Sequence, residues 1–170
     1  MDKAELAAMK KQPEESSKLM NQAEMWYEKA DIDNIMFYYA KKASILRGSG
    51  HLAEAEDVLK RFRSSVKSFK GAPFYQFYYY YELALVSFLK KDVNSFEKTF
   101  KKVKELLKYS DMSDQYTSLL RPLEIVLKNK NKDQSSYQSE LSQAVENMNS
   151  SFKASLRSRE IDKIIKSVHM

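Results

Sequence analysis

An all-α fold of stacked antiparallel helix pairs is what this sequence predicts, and three observations predict it. Only 3 Gly and 3 Pro occur in 170 residues, too few to punctuate the many short strands of a β fold. Apolar residues recur at spacings of three and four along most of the chain, the period of one helix face. The apolar pattern of one helix-turn-helix stretch also returns 41 residues later and, more faintly, 41 residues after that.

Residues 2–12 form a short helical candidate, with Ala4, Leu6, Ala7 and Met9 as apolar points and Asp2 placed to cap it. Pro13 suits the first turn of the next helix, where its missing N–H costs nothing. That helix carries Ser16, Met20, Ala23 and Tyr27 on one face, so 2–30 flanks the repeats. After a polar break at 31–34, a helix to Arg47 presents Met36, Tyr39, Ala43 and Leu46. Gly48, Ser49 and Gly50 end it, since glycine takes the left-handed conformation without a Cβ penalty. The partner helix carries Leu52, Ala55, Leu59, Phe62 and Val66, which completes a pair over about 34–70.

A second pair follows over 73–109, turning at Lys90, Lys91 and Asp92. A third pair spans 113–150, starts at Ser113 and breaks at 129–132. Pro122 lies inside its first helix, where a lost donor and a clash one turn back predict a kink or a late start. A last helix over 159–168, with Ile161, Ile164, Ile165 and Val168, reads as a closing cap or the start of a further element. The expectation is one helical-repeat domain over 1–170.

At the fixed offset of 41, Ala43 aligns with Ala84 and Ile125, and Ile45 with Val86 and Leu127. Ala55 aligns with Phe96 and Tyr137, Leu59 with Phe100 and Leu141, and Phe62 with Val103 and Ala144. Val66 aligns with Leu107 and Met148, Tyr39 with Tyr80, and Leu52 with Val93. The last two columns turn polar in the third copy, at Arg121 and Gln134. A helix pair cannot bury its apolar face alone, so such units stack side by side into a superhelix with a concave and a convex side.

The segment from Ala40 to Phe62 resembles a tetratricopeptide repeat. Ala43 is the small residue of the first helix and Gly50 the turn glycine; Leu52, Ala55, Leu59 and Phe62 follow at matching spacings. Lys91 and Phe96 replace the glycine and the small residue in the second copy, and Lys132 and Tyr137 do so in the third. The period of 41 exceeds the family's about 34. Degenerate repeats of this length are most similar to the repeat domains of peptide-sensing receptors from Gram-positive bacteria and their phages. The resemblance covers about 31–150 and implies a short right-handed superhelix whose concave groove binds a peptide.

Composition removes several alternatives. Cys is absent, which excludes disulfides, thiolate metal sites and thiol catalysis. No apolar run approaches the 18 or so residues of a membrane span, and residues 1–12 lack the apolar core of a secretory signal, so the expected location is cytoplasmic and no membrane partner is expected. No phosphate loop, nucleophile elbow, zinc-ligand spacing or paired catalytic carboxylates stands out, so no cofactor or metal is expected and the chain is not read as an enzyme.

The least ordinary stretch is 74–81, with seven aromatics in eight positions. Successive helical residues turn by about 100°, so they cannot share one face. Phe77, Tyr80 and Ala84 are assigned to packing between repeats. By the tetratricopeptide pattern Tyr78, Tyr81, Leu85 and Phe88 line the groove, joined by Glu82 and by Phe37, Lys41, Ser44 and Arg47 of the first pair. Tyrosine supplies a rigid apolar body with one hydroxyl, and Lys41 and Arg47 are placed to hold a peptide carboxylate. The rival reading packs the tyrosines between helices with only their hydroxyls reaching water.

The expected function is a protein- or peptide-binding adaptor or regulator, whose partner the net charge of +6 inclines toward an acidic one. One alternative is a structural or homo-oligomerisation module. The other is a basic nucleic-acid binder, suggested by Lys98, Lys101, Lys102, Lys104 and Lys108, though no motif supports it and nucleic acid is the least expected partner.

Overall fold

The computed structural model describes residues 3, 4, 7, 12–27, 31–65, 72–108, 113–151 and 161–166. The fold is all-α, and no strand occurs among the described residues. None of the described helices is long and apolar enough to cross a membrane. The chain divides into two compact units, Met1–Leu106 and Leu107–Met170.

The first unit contains α1 (Pro13–Tyr27), α2 (Ile32–Gly48), α3 (Leu52–Ser65), α4 (Pro73–Leu89) and all but the last residue of α5 (Val93–Leu107). Residues 3, 4 and 7 are also helical, and Ser16 Oγ donates to the Ala4 carbonyl at 2.9 Å, which pins that segment to α1. The Asp31 carboxylate caps α2 by accepting from the Asn34 backbone N–H at 2.9 Å, and Asp33 complements the helix dipole one residue in. The α1–α2 contact is aromatic and charged. Tyr27 stacks on Tyr38 at 5.0 Å, and Lys42 meets Glu24 at 2.7 Å.

The α2, α3 and α4 helices pack on one another around Met36, Ala43, Ala55, Leu59, Phe62, Tyr79 and Val86. Burial of each large apolar side chain there contributes about 1.5–3 kcal/mol. Tyr79 is the polar member of this core. Its hydroxyl crosses from α4 and donates to the Leu59 carbonyl of α3 at 2.8 Å, while burial pushes its phenol well above the ordinary value. Replacement of Tyr79 by phenylalanine keeps the ring and deletes that bond, so it is expected to cost about 1 kcal/mol. The denaturant midpoint reads this at constant slope; an unmoved midpoint would show that the hydroxyl contributes nothing.

The two turns of this unit repeat bond for bond at the offset of 41. Gly50 N donates to Arg47 O at 3.0 Å, and Lys91 N to Phe88 O at 3.0 Å. His51 N donates to Leu46 O at 2.9 Å, and Asp92 N to Ser87 O at 3.0 Å. Gly50 sits at φ +86° and Lys91 at φ +59°, both left-handed. The lysine therefore tolerates the strained conformation that glycine adopts freely, because the same closing bonds hold it. Asp92 then caps α5 by accepting from Ser95 N at 3.1 Å, and its hydrogen bonds to Ser95 hold its carboxyl below the usual range.

The second unit contains α6 (Ser113–Lys128), a 3-10 turn (Gln134–Ser136), α7 (Gln138–Ser151) and a helical segment at 161–166. The helix runs through Pro122 without interruption, so the late start is not seen. The two polar columns of this copy have visible consequences. Gln134, aligned with Leu52 and Val93, opens the 3-10 turn, and α7 begins only at Gln138. Arg121, aligned with Tyr39 and Tyr80, reaches Glu140 at 2.7 Å and so replaces an aromatic contact by an ion pair between α6 and α7. The apolar columns stay buried in all three copies at Ala43, Ala84 and Ile125, at Ala55, Phe96 and Tyr137, and at Leu59, Phe100 and Leu141. Ile161, Ile164 and Ile165 are buried as well; Val66 and Val168 lie outside the described residues, as do Asp2 and the segments 66–71 and 152–160.

Candidate functional site: an aromatic cluster on α2 and α4

Pro73 opens α4, and the N–H of Ala72 just before it donates to Asp33 Oδ1 at 2.8 Å. That bond ties the start of α4 to the first turn of α2. One turn further along α2, Phe37 therefore meets the first two turns of α4. Four rings form a closed circuit there. Phe37 lies 6.1 Å from Tyr75 and 5.9 Å from Tyr78, and Phe74 lies 5.4 Å from Tyr75 and 4.7 Å from Tyr78. All four pairs are close to perpendicular, at 75–87°, the edge-to-face arrangement that aromatic quadrupoles favour. Phe74 is 39% exposed, and Phe37, Tyr75 and Tyr78 are half-buried. The Lys41 ammonium sits over the Phe37 ring at 5.9 Å, on the next turn of α2.

Further along the same two helices the surface closes. The Arg47 guanidinium contacts Glu82 Oε2 through Nη2 at 2.9 Å and Nε at 3.0 Å, with Ser44 Oγ 3.4 Å from Nη2. The two charged side chains are only 2% and 10% exposed. A carboxylate for Arg47 was expected from a bound peptide; this chain supplies its own, 35 residues downstream.

The nine groove residues divide accordingly. Phe37, Lys41, Ser44 and Tyr78 are partly exposed and share the α2–α4 face. Tyr81 and Leu85, at 1% and 0% exposure, are core residues, which corrects their placement in an open groove. Arg47 and Glu82 are buried as a pair. Phe88 belongs to the α4–α5 pair, with its ring 5.1 Å from Phe96. The physical reason is that α4 is apolar almost all round. Phe77, Tyr79, Tyr81, Ala84, Leu85 and Val86 are all buried, and a helix of that kind is enclosed rather than laid on one side. The rival reading thus holds for the packing of Tyr79 and Tyr81 but not for their hydroxyls, which are buried too; the same stretch includes the exposed Phe74 and half-buried Tyr75 that the groove assignment missed. Their signal was position, since both lie in the first turn after a proline.

A depression of about 700 Å³ runs along Glu14, Ser17, Lys18, Asn21, Gln22 and Met25. All six belong to α1, and it shares no residue with the aromatic cluster. Among the described residues its lining comes from that one helix alone. No group of His, Cys, Asp and Glu able to hold a metal ion occurs among the described residues. Comparison with family models, with curated proteins and with solved structures finds no match.

Proposed function

We propose that this chain is a protein- or peptide-binding helical-repeat module, acting as an adaptor or regulator rather than as an enzyme. Its binding surface is the cluster of Phe37, Phe74, Tyr75 and Tyr78 with Lys41 on the rim. The observation that carries the reading is the exposure of a preassembled aromatic cluster on two packed helices. Rigid aromatic anchors beside a cation are what interface hot spots are made of. They lose little conformational entropy on binding, because the rings already hold one another in place. A cytoplasmic setting and a tetratricopeptide-like stacking of the pairs belong to the same reading.

The test is a capture experiment with the wild-type chain and the Phe74→Ala/Tyr78→Ala variant as baits, followed by affinity measurement on what is retained. Both residues reach the surface, so helical content should be unchanged. Affinity for a captured partner should fall at least about tenfold, or ~1.4 kcal/mol. A partner held equally well by both baits would remove the cluster from the interface. A mass that rises with concentration in the wild type, and not in the variant, would assign the surface to a second copy of the chain.

A further inference from the structure

Part of the positive charge of this protein lies on a different element from the aromatic cluster. Residues 90–106 carry six lysines against three acids, a net +3. Of the three acids, Glu97 is exposed beside the lysines on α5, and the other two are engaged by neighbouring groups. Asp92 caps α5, and Glu105 pairs with Lys102 at 3.4 Å. Glu56 of α3 receives Lys60 at 2.7 Å and also the ammonium of Lys90. Lys98, Lys101 and Lys104 stand exposed on α5, and Lys98 and Lys101 form no ion pair among the described residues. The opposite side of the helix is buried through Phe96, Phe100, Val103 and Leu106.

From this we infer that the exposed face of α5 binds the phosphate backbone of duplex nucleic acid without reading its sequence. A duplex suits this face better than a protein surface or a bilayer does. The three lysines span six residues, about 9 Å along a straight helix. A duplex offers one negative charge per about 1.7 Å of its axis with both strands counted, a charge density that a cluster of lysines complements. Stable protein interfaces are poor in lysine and rest on buried aromatic or aliphatic anchors, and the exposed positions of α5 (Asn94, Glu97, Lys98, Lys101 and Lys104) offer none. A bilayer is the weaker fit for a related reason, because the apolar side of α5 is spent on the core and no residue is left to insert. With no aromatic or arginine among those exposed residues, the face has nothing to stack on bases, and its affinity rests on sequence-independent phosphate contacts.

The test is fluorescence anisotropy of a short labelled DNA duplex over a salt series. It uses the full chain, the triple variant Lys98→Gln/Lys101→Gln/Lys104→Gln, and the matching triple Lys→Arg variant. Binding by the wild type should weaken with salt on a log–log line. The slope should drop by about 0.9 for each lysine removed that meets a phosphate. The arginine variant should bind like the wild type, and Phe74→Ala/Tyr78→Ala should too, since its surface is separate. Circular dichroism of each variant guards against unfolding. No salt-dependent binding by the wild type, or an unchanged slope in a folded glutamine variant, would overturn the inference. Tighter binding to vesicles containing phosphatidylserine than to the duplex would overturn it in favour of a membrane surface.

Discussion

Replacing Glu82 by leucine is expected to lower the stability of the first unit by about 3–5 kcal/mol. The glutamate accepts from both Nη2 and Nε of Arg47, and the arginine side chain is 2% exposed. Water cannot reach the guanidinium to replace the lost carboxylate, so the charge stays desolvated without its counterion. The double variant Arg47→Met/Glu82→Leu should recover most of the loss, because two apolar side chains of similar volume need no solvation. Chemical denaturation followed through near-ultraviolet tyrosine signals separates the three proteins. A single variant as stable as the parent would mean that Arg47 finds other solvation in the folded chain. A double variant no better than the single would mean that packing, and not charge, makes the glutamate important.

That pair also marks where sequence reasoning stops. Helix positions, both turns and the buried columns were legible, because each follows from local spacing. The fixed offset carried Ala43, Ala55, Leu59 and Phe62 into the core together with their equivalents. The partner of Arg47 was not legible in that way. Its choice between a ligand carboxylate and Glu82 depends on how α2 lies against α4, which no periodicity encodes. The same holds for the tyrosines. In a helix flanked on several sides, a period of 3.6 cannot say which stripe is wet, and Tyr81 passed for a groove residue although it is enclosed. The most exposed aromatic of α4 is Phe74, in its first turn, beside the point where Asp33 accepts from the backbone N–H of Ala72.

The second large effect is expected at Ala55. Substitution by aspartate should cost about 2–5 kcal/mol, because a carboxylate would enter a site with 0% exposure among Met36, Leu59, Phe62 and Tyr79. Helix propensity cannot account for a loss of that size, since aspartate trails alanine by only about 0.7 kcal/mol. Ala53 supplies the control, being exposed two residues earlier on the same helix, and Ala53→Asp should stay within about that propensity difference. The pH dependence has a definite sign. Burial disfavours the charged form, so the folded pKa of the new aspartate lies above its unfolded value of about 3.9. The penalty is therefore complete above the folded pKa and fades as pH falls toward the unfolded value. Thermal melts of both variants at neutral and acid pH test each step. If the two variants melted alike at neutral pH, α3 would present a different face to α2 and α4 than the 41-residue alignment assigns, and the equivalence of Ala55 with Phe96 and Tyr137 would fail with it.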